Sequence, residues 1–384
     1  MIIYTVRPGD SIDSIANTYG ISAETIAFDN QLPYPYALAV GANILLSEAQ
    51  TPLQETDILV EKTEQVIKSG GYAYPFISRG VLDQTLPYIT DLLVFSYGFT
   101  TDGDLIPPSI DDTFMIEAAN VFSVAPILTL TPFDESGAFS NYLITRVIND
   151  PIATQNLIDQ LVYTVQEKRF EGVDIDFEYI LPEDRIPFAT FVGNVRSAMN
   201  ALSYPVSVAL APKISDDQPG LLYEGKDYAL LGEAADYVLL MTYEWGYTYG
   251  PPMAVAPLNK VRQVVEYALT RIPNYKIHLG IPNYGYDWTL PFVRGESKAL
   301  TIGHVEALQI AIRNNAEIMF DPIAGSPYFH YTAGGIEHEV WFEDVRSLYD
   351  KFNLVKEFSL RGLSYWQIMR YFRAGLLLQN QIFL

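Results

Sequence analysis

The 384-residue chain sets 24 Lys and Arg against 46 Asp and Glu, and a net charge of −22 leaves no basic surface to neutralise phosphates or hold an anionic membrane. Apolar residues at 49% and charged residues at 18% describe a globular chain rather than a disordered one, and the length allows two or three domains or one large barrel with an appendage. With no cysteine, disulfides, thiolate chemistry and cysteine-type zinc sites are excluded. The four histidines (His278, His304, His330, His338) are not spaced as metal ligands, so no metal and no cofactor is expected.

The first residues lack a basic stretch followed by an apolar one, so no secretory signal is expected, and no apolar run approaches a membrane-spanning length. Residues 1–48 read as a small separate module. Ile3, Tyr4 and Val6 form a short strand pattern, and Arg7-Pro8-Gly9-Asp10 turns the chain. Asp10 or Ser11 can cap a helix that places Ile12, Ile15 and Ala16 on one face. A second helix is expected over Ala23 to Asp29, and Ile44-Leu45-Leu46 closes a βααβ unit. Val6, Gly9-Asp10-Ser11, Ile15-Ala16, Asn30, Leu32, Gly41 and Ile44 fall in an order and spacing that resembles a LysM module, a family that binds glycans rich in N-acetylglucosamine. There is one copy.

Residues 49–68 are polar and mixed, as in a linker. Beyond them, eight apolar runs alternate with helical patterns: 72–77, 92–99, 124–131, 172–178, 206–211, 237–243, 277–281 and 360–366. Near-continuous apolar strands between helices indicate a parallel sheet buried on both faces, and eight such units over 69–384 indicate an α/β fold, a (β/α)₈ TIM barrel. The long gap between the seventh and eighth strands must hold a small α+β insertion at about 288–340, followed by a helix around Phe342 to Phe352.

The fourth run reads Gly172-Val173-Asp174-Ile175-Asp176-Phe177-Glu178. Alternation puts Asp174, Asp176 and Glu178 on one face of a strand and Val173, Ile175 and Phe177 on the other. In a closed barrel the acidic face points inward, at the end of the strand where barrel active sites are built. Three carboxyls this close cannot all ionise, so one is held protonated, as acid catalysis requires. Burying them costs several kcal/mol each unless they are paired, which argues against a purely structural role.

This run resembles the DGxDxDxE signature of glycoside hydrolase family 18, the chitinase-like barrels, with Glu171 in place of the first Asp. Met241-Thr242-Tyr243-Glu244 resembles the family's M-x-Y-D, with Glu244 where Asp is usual. Gly280-Ile281-Pro282-Asn283-Tyr284-Gly285 resembles its G-x-P-x-Y-G, and Trp366 matches the tryptophan that floors the sugar site. The third strand, Leu128-Thr129-Leu130-Thr131, lacks the family's glycines. The resemblance implies that Glu178 is proton donor and later general base, and that the substrate's own acetamido oxygen attacks the anomeric carbon. It also implies that Asp176 orients the acetamido N–H, that Asp174 shares a proton with Asp176, and that Tyr243 holds the acetamido oxygen. Trp366, Glu244, Tyr284 and Tyr97 are the expected substrate contacts. Phe99, Tyr286, Trp245 and Trp288 also lie near strand ends, though aromatics there pack cores as readily as they stack on sugars.

The expected activity is a retaining N-acetylglucosaminidase acting on peptidoglycan. The module, the barrel, and the 326–342 segment resemble bacterial spore enzymes that degrade cortex fragments during germination, which implies a spore location and a polysaccharide partner. A chitinase uses the same residues. A glycan-binding protein without activity, such as a spore-coat component, would typically lack Glu178. Oligomeric state is not legible.

Overall fold

The computed structural model describes residues 1–133 and 138–383. Eight parallel strands close into a barrel: Lys68–Ala73, Asp91–Phe99, Ala125–Leu130, Val173–Ile175, Val206–Leu210, Tyr237–Leu240, Ile277–Pro282 and Gly362–Trp366. Each pairs with the next in chain order, and the eighth returns to the first (Gly362 opposite Lys68), so the sheet has no free edge. The first strand begins four residues earlier than its apolar run. Gly70 and Gly71 precede that run but lie inside the strand, where the lack of side chains lets Ser364 and Ile368 pack onto the backbone.

The helices Pro151–Lys168, Arg185–Asn200 and Leu258–Leu269 cover the barrel's outside, and their apolar stripes meet the outward side chains of the strands. Asp150 caps the first of them through the Ile152 and Ala153 amides, next to Pro151 at its first position. Between the seventh and eighth strands stands a five-stranded antiparallel sheet, from Gly285–Thr289 to Ile336–Trp341, with the helix His304–Arg313 packed on it. The chain then re-enters the barrel through the helix Val345–Glu357, whose Lys351 is buried against Glu343 at 2.8 Å. Among the described residues, no helix is long and apolar enough to cross a membrane.

The N-terminal module has the expected βααβ order: Ile2–Thr5, Ile12–Tyr19, Ala23–Asp29 and Asn43–Leu46. Ser11 caps the first helix through the Ser14 amide (3.1 Å), and Gly20, at φ 66°, ends it. Residues 49–68 are an ordered strap rather than a free tether. Ile58–Leu59 adds a third strand to the module's sheet, and the Thr63 amide donates to the Ile382 carbonyl. The module's core is continuous with that of the inserted sheet: Ile2, Tyr4, Ile44 and Leu46 share one apolar cluster with Ile302, Leu308, Phe329 and Val340. Asn43 donates to Asp344 Oδ2 (2.6 Å), the Ile318 amide to the Val40 carbonyl (2.8 Å), and Arg373 pairs with Asp29 (2.9 Å).

Candidate active site

The fourth barrel strand ends its ladder at Ile175, and the chain runs on extended, with the Asp176 amide donating to the Leu130 carbonyl (2.9 Å). Alternation therefore persists through Glu178. Phe177 turns outward and stacks on Phe188 and Phe191 of the covering helix, at 5.5 and 5.7 Å. The three carboxyls turn inward and form a column from the barrel's middle to its mouth.

Their surroundings change along that column. Asp174, fully buried, accepts from the Tyr72 hydroxyl (2.8 Å) and Ser207 Oγ (2.6 Å). Burial raises its pKa and these two bonds oppose the rise. Asp176 is buried with Oδ1 unpartnered, and its pKa is pushed well up by burial first and the Glu178 charge second. Glu178 lies on the wall of an open cleft of about 710 Å³. Burial raises its pKa, Lys226 opposes the rise, and Glu244 adds to it. A carboxyl on the cleft wall beside one with a bare acceptor oxygen places a proton donor next to an acceptor for an N–H.

Four of the expected residues share the cleft with Asp176 and Glu178 or lie directly behind them. Trp366 forms part of its wall, set edge-on against Phe95 (4.9 Å) and Tyr72 (5.4 Å). Tyr243 lines it too, and can do so because position 280 is glycine: a Cβ there would lie 2.8 Å from the Tyr243 ring and 2.3 Å from the Leu240 carbonyl. Glu244 lines the cleft from a left-handed backbone (φ 67°) and accepts hydrogen bonds from Tyr284 and Tyr286. Tyr284, expected to contact substrate, is placed behind Glu244 as a support rather than on the cleft wall.

Tyr97 is outside the site altogether. The second strand shifts register between Phe95 and Tyr97, so the one-residue bulge reverses the alternation: Phe95 faces the cleft and Tyr97 the outer helices. There its hydroxyl donates to Asp112 (2.6 Å) and its ring packs edge-on against Phe170. Phe99 and Trp288 are buried, and Trp288 donates to the Gly250 carbonyl (2.8 Å).

Residues that the sequence reading passed over complete the cleft. Tyr74, Tyr179, Tyr223 and Tyr247 add rings to its walls, and Tyr72 ties the first strand to Asp174. Lys226 is fully buried, with Nζ 2.6 Å from the Ala209 carbonyl. Nothing in its local sequence distinguishes it from a surface lysine. His278 is also buried, contacting Ser364 Oγ at 3.1 Å, and burial lowers its pKa to about 3.

Known proteins resemble the chain in sequence and in fold. Residues 136–370 match the model of glycosyl hydrolases family 18, and residues 4–47 match that of the LysM domain. The chain is 37% identical to a cortical fragment-lytic enzyme of Bacillus subtilis (strain 168), over 99% of its own length and 98% of the relative's. It superposes on the Bacillus cereus spore cortex-lytic enzyme SleL with a TM-score of 0.93 at 31% identity, covering 100% and 98% of the two chains. Against a chitinase from Chromobacterium violaceum the TM-score is 0.75 at 25% identity, over 82% and 99%.

Proposed function

Since the chain belongs to glycosyl hydrolases family 18 and is a glycoside hydrolase with an N-terminal LysM domain, we propose that it cleaves N-acetylglucosaminyl linkages in spore-cortex peptidoglycan, with retention of configuration. The observation that carries this reading is the graded column of carboxyls: Asp174 bonded on both oxygens, Asp176 with one oxygen bare, and Glu178 on the cleft wall.

In this reading Glu178 protonates the glycosidic oxygen as the bond to the anomeric carbon breaks. The carbonyl oxygen of the sugar's 2-acetamido group closes on that carbon from the other face and forms an oxazolinium ion. Asp176 accepts from the acetamido N–H through its bare oxygen, and Asp174, fixed by Tyr72 and Ser207, shares a proton with it. Tyr243 donates to the acetamido oxygen, Trp366 floors the sugar, and Glu244 meets a neighbouring hydroxyl. Water then opens the ring ion, with Glu178 as base. The LysM domain binds the same class of glycan, and the similarity to cortex-lytic enzymes along the whole chain supports a spore location and the cortex as substrate.

The test is mass spectrometry of the protein incubated with lytic fragments of spore cortex and with chitin oligomers of matched length. Release of N-acetylglucosamine from cortex fragments is the expected outcome. Cleavage of chitin alone would keep the chemistry and replace the substrate. Glu178→Gln is expected to lower kcat by about 10²–10⁴-fold with the fold unchanged, and full activity in that variant would overturn the assignment.

A further inference from the structure

The loop 211–227, between the fifth strand and the helix Tyr228–Ala234, carries two lysines that are buried for different reasons. Lys213 fastens the loop: its Nζ donates to the carbonyls of Asp216, Tyr223 and Lys226, at 3.0, 3.2 and 2.9 Å. The Tyr228 hydroxyl secures the same stretch through the Ala211 carbonyl (2.6 Å) and the Lys213 amide (3.0 Å). Lys226 is not needed for that task. It leaves the loop and enters the barrel wall, fully buried, to donate to the carbonyl of Ala209. The fourth and fifth strands run in register, with Asp174 opposite Ser207 and Ile175 opposite Val208, so Ala209 is level with Asp176. The ammonium is thereby held beside the column of carboxyls, and the charges acting on it are those of Asp176, Glu178 and Asp174.

Resting on the reading above, we propose that Lys226 is a positioning residue for the three carboxyls: its buried ammonium, fixed on the Ala209 carbonyl, supplies the one positive charge that lets the Asp174–Asp176 pair carry a negative charge beside a protonated Glu178. The reaction requires Glu178 with its proton and one negative charge shared by Asp174 and Asp176. With Lys226 the three carboxyls and the ammonium together are then neutral. Without it, a lone negative charge is left on buried carboxyls, and a proton is drawn in to remove it. Among the described residues, the other groups facing the column, Tyr72, Tyr74, Tyr179, Tyr237 and Tyr243, are neutral hydroxyls, and Glu244 adds only negative charge, so none can replace the lysine. Lys213 directs its own ammonium to backbone carbonyls of the loop.

The experiment compares pH profiles of kcat/KM for the wild type and Lys226→Met, on whichever glycan the wild type cleaves, with melting temperature followed over the same pH range. Losing the cation makes Asp176 and Glu178 hold protons more tightly. Both limbs of the profile are therefore expected to move to higher pH, by about one unit or more. The chain has no cysteine, so Lys226→Cys can be alkylated with bromoethylamine in denaturant and refolded, rebuilding an ammonium of lysine's length. This is expected to return the profile to that of the wild type. A folded Lys226→Met variant with lower kcat and an unmoved profile would make Lys226 a mere tether and overturn the proposal. If the wild type cleaves no glycan, the functional reading fails and the melting curves decide the matter. A steeper loss of melting temperature with rising pH in Lys226→Met supports the proposal, and parallel curves overturn it.

Discussion

Asp176 carries the column's one buried carboxyl oxygen that accepts no hydrogen bond, and its burial makes a prediction about stability. Its pKa in the folded protein is raised above the ordinary carboxylate value near 4. The folded state therefore binds the proton more tightly than the unfolded state. The stability this confers is present below the unfolded pKa and is lost as pH rises through the folded one. Asp176→Asn removes an ionisable group that is uncomfortable at neutral pH. The variant is expected to be more stable than the wild type at neutral pH by about 1 kcal/mol or more, since each pKa unit is worth about 1.4 kcal/mol, and to gain little in acid. It should also be nearly inactive. Thermal melts at two pH values check this, and equal stability at both would show that Asp176 is not held against its charge. Activity kept at the expense of stability is the expected trade at such a site.

At the scale of elements, two local departures from regular structure decide what faces the cleft. The bulge in the second strand sends Phe95 in and Tyr97 out. Gly280, on the seventh strand, leaves room for the Tyr243 ring that arrives from the sixth. Because the obstacle at 280 is partly backbone, Gly280→Ala cannot be absorbed by a rotamer change. It should cost about 1–3 kcal/mol, as overpacking does in a dense core, and displace Tyr243. Kinetics and melting measured together test this: kcat should fall by more than KM rises. A variant with wild-type kcat would show that Tyr243 has no fixed position to lose.

In the molecule as a whole, the LysM domain and the barrel are joined by more than a strap. Ile302, Leu308, Phe329 and Val340 of the insertion are buried in part by Ile2, Tyr4, Ile44 and Leu46. The domain's surface and the mouth of the barrel are thus parts of one packed body, which suits a polymer that both can hold. Deleting residues 1–48 would expose an apolar face on the insertion and leave Asp344 without Asn43. The shortened protein is expected to melt several degrees lower, by roughly 2–4 °C for each kcal/mol lost, and to aggregate more readily. An unchanged melting temperature would mean that the two units fold independently.

Features that depend on local order were legible in the residues alone. Alternation along 173–178 gives the acidic face whatever packs against it, and eight apolar runs between helical patterns leave few ways other than a closed parallel barrel to bury both faces. The LysM domain was legible for the same reason, since its caps and turns lie within a few residues of the helices they bound. Features that join residues far apart in the chain needed the folded protein. The bulge that removes Tyr97 from the cleft exists only in pairing with the third strand. Tyr284 is a support and not a wall because Glu244, forty positions away, stands in front of it. Lys226, one of two lysines in a polar loop, becomes part of the charge balance only when the fifth strand brings Ala209 level with Asp176. Periodicity records which way a side chain points along its own element; which charge it meets is fixed by the closure of the barrel.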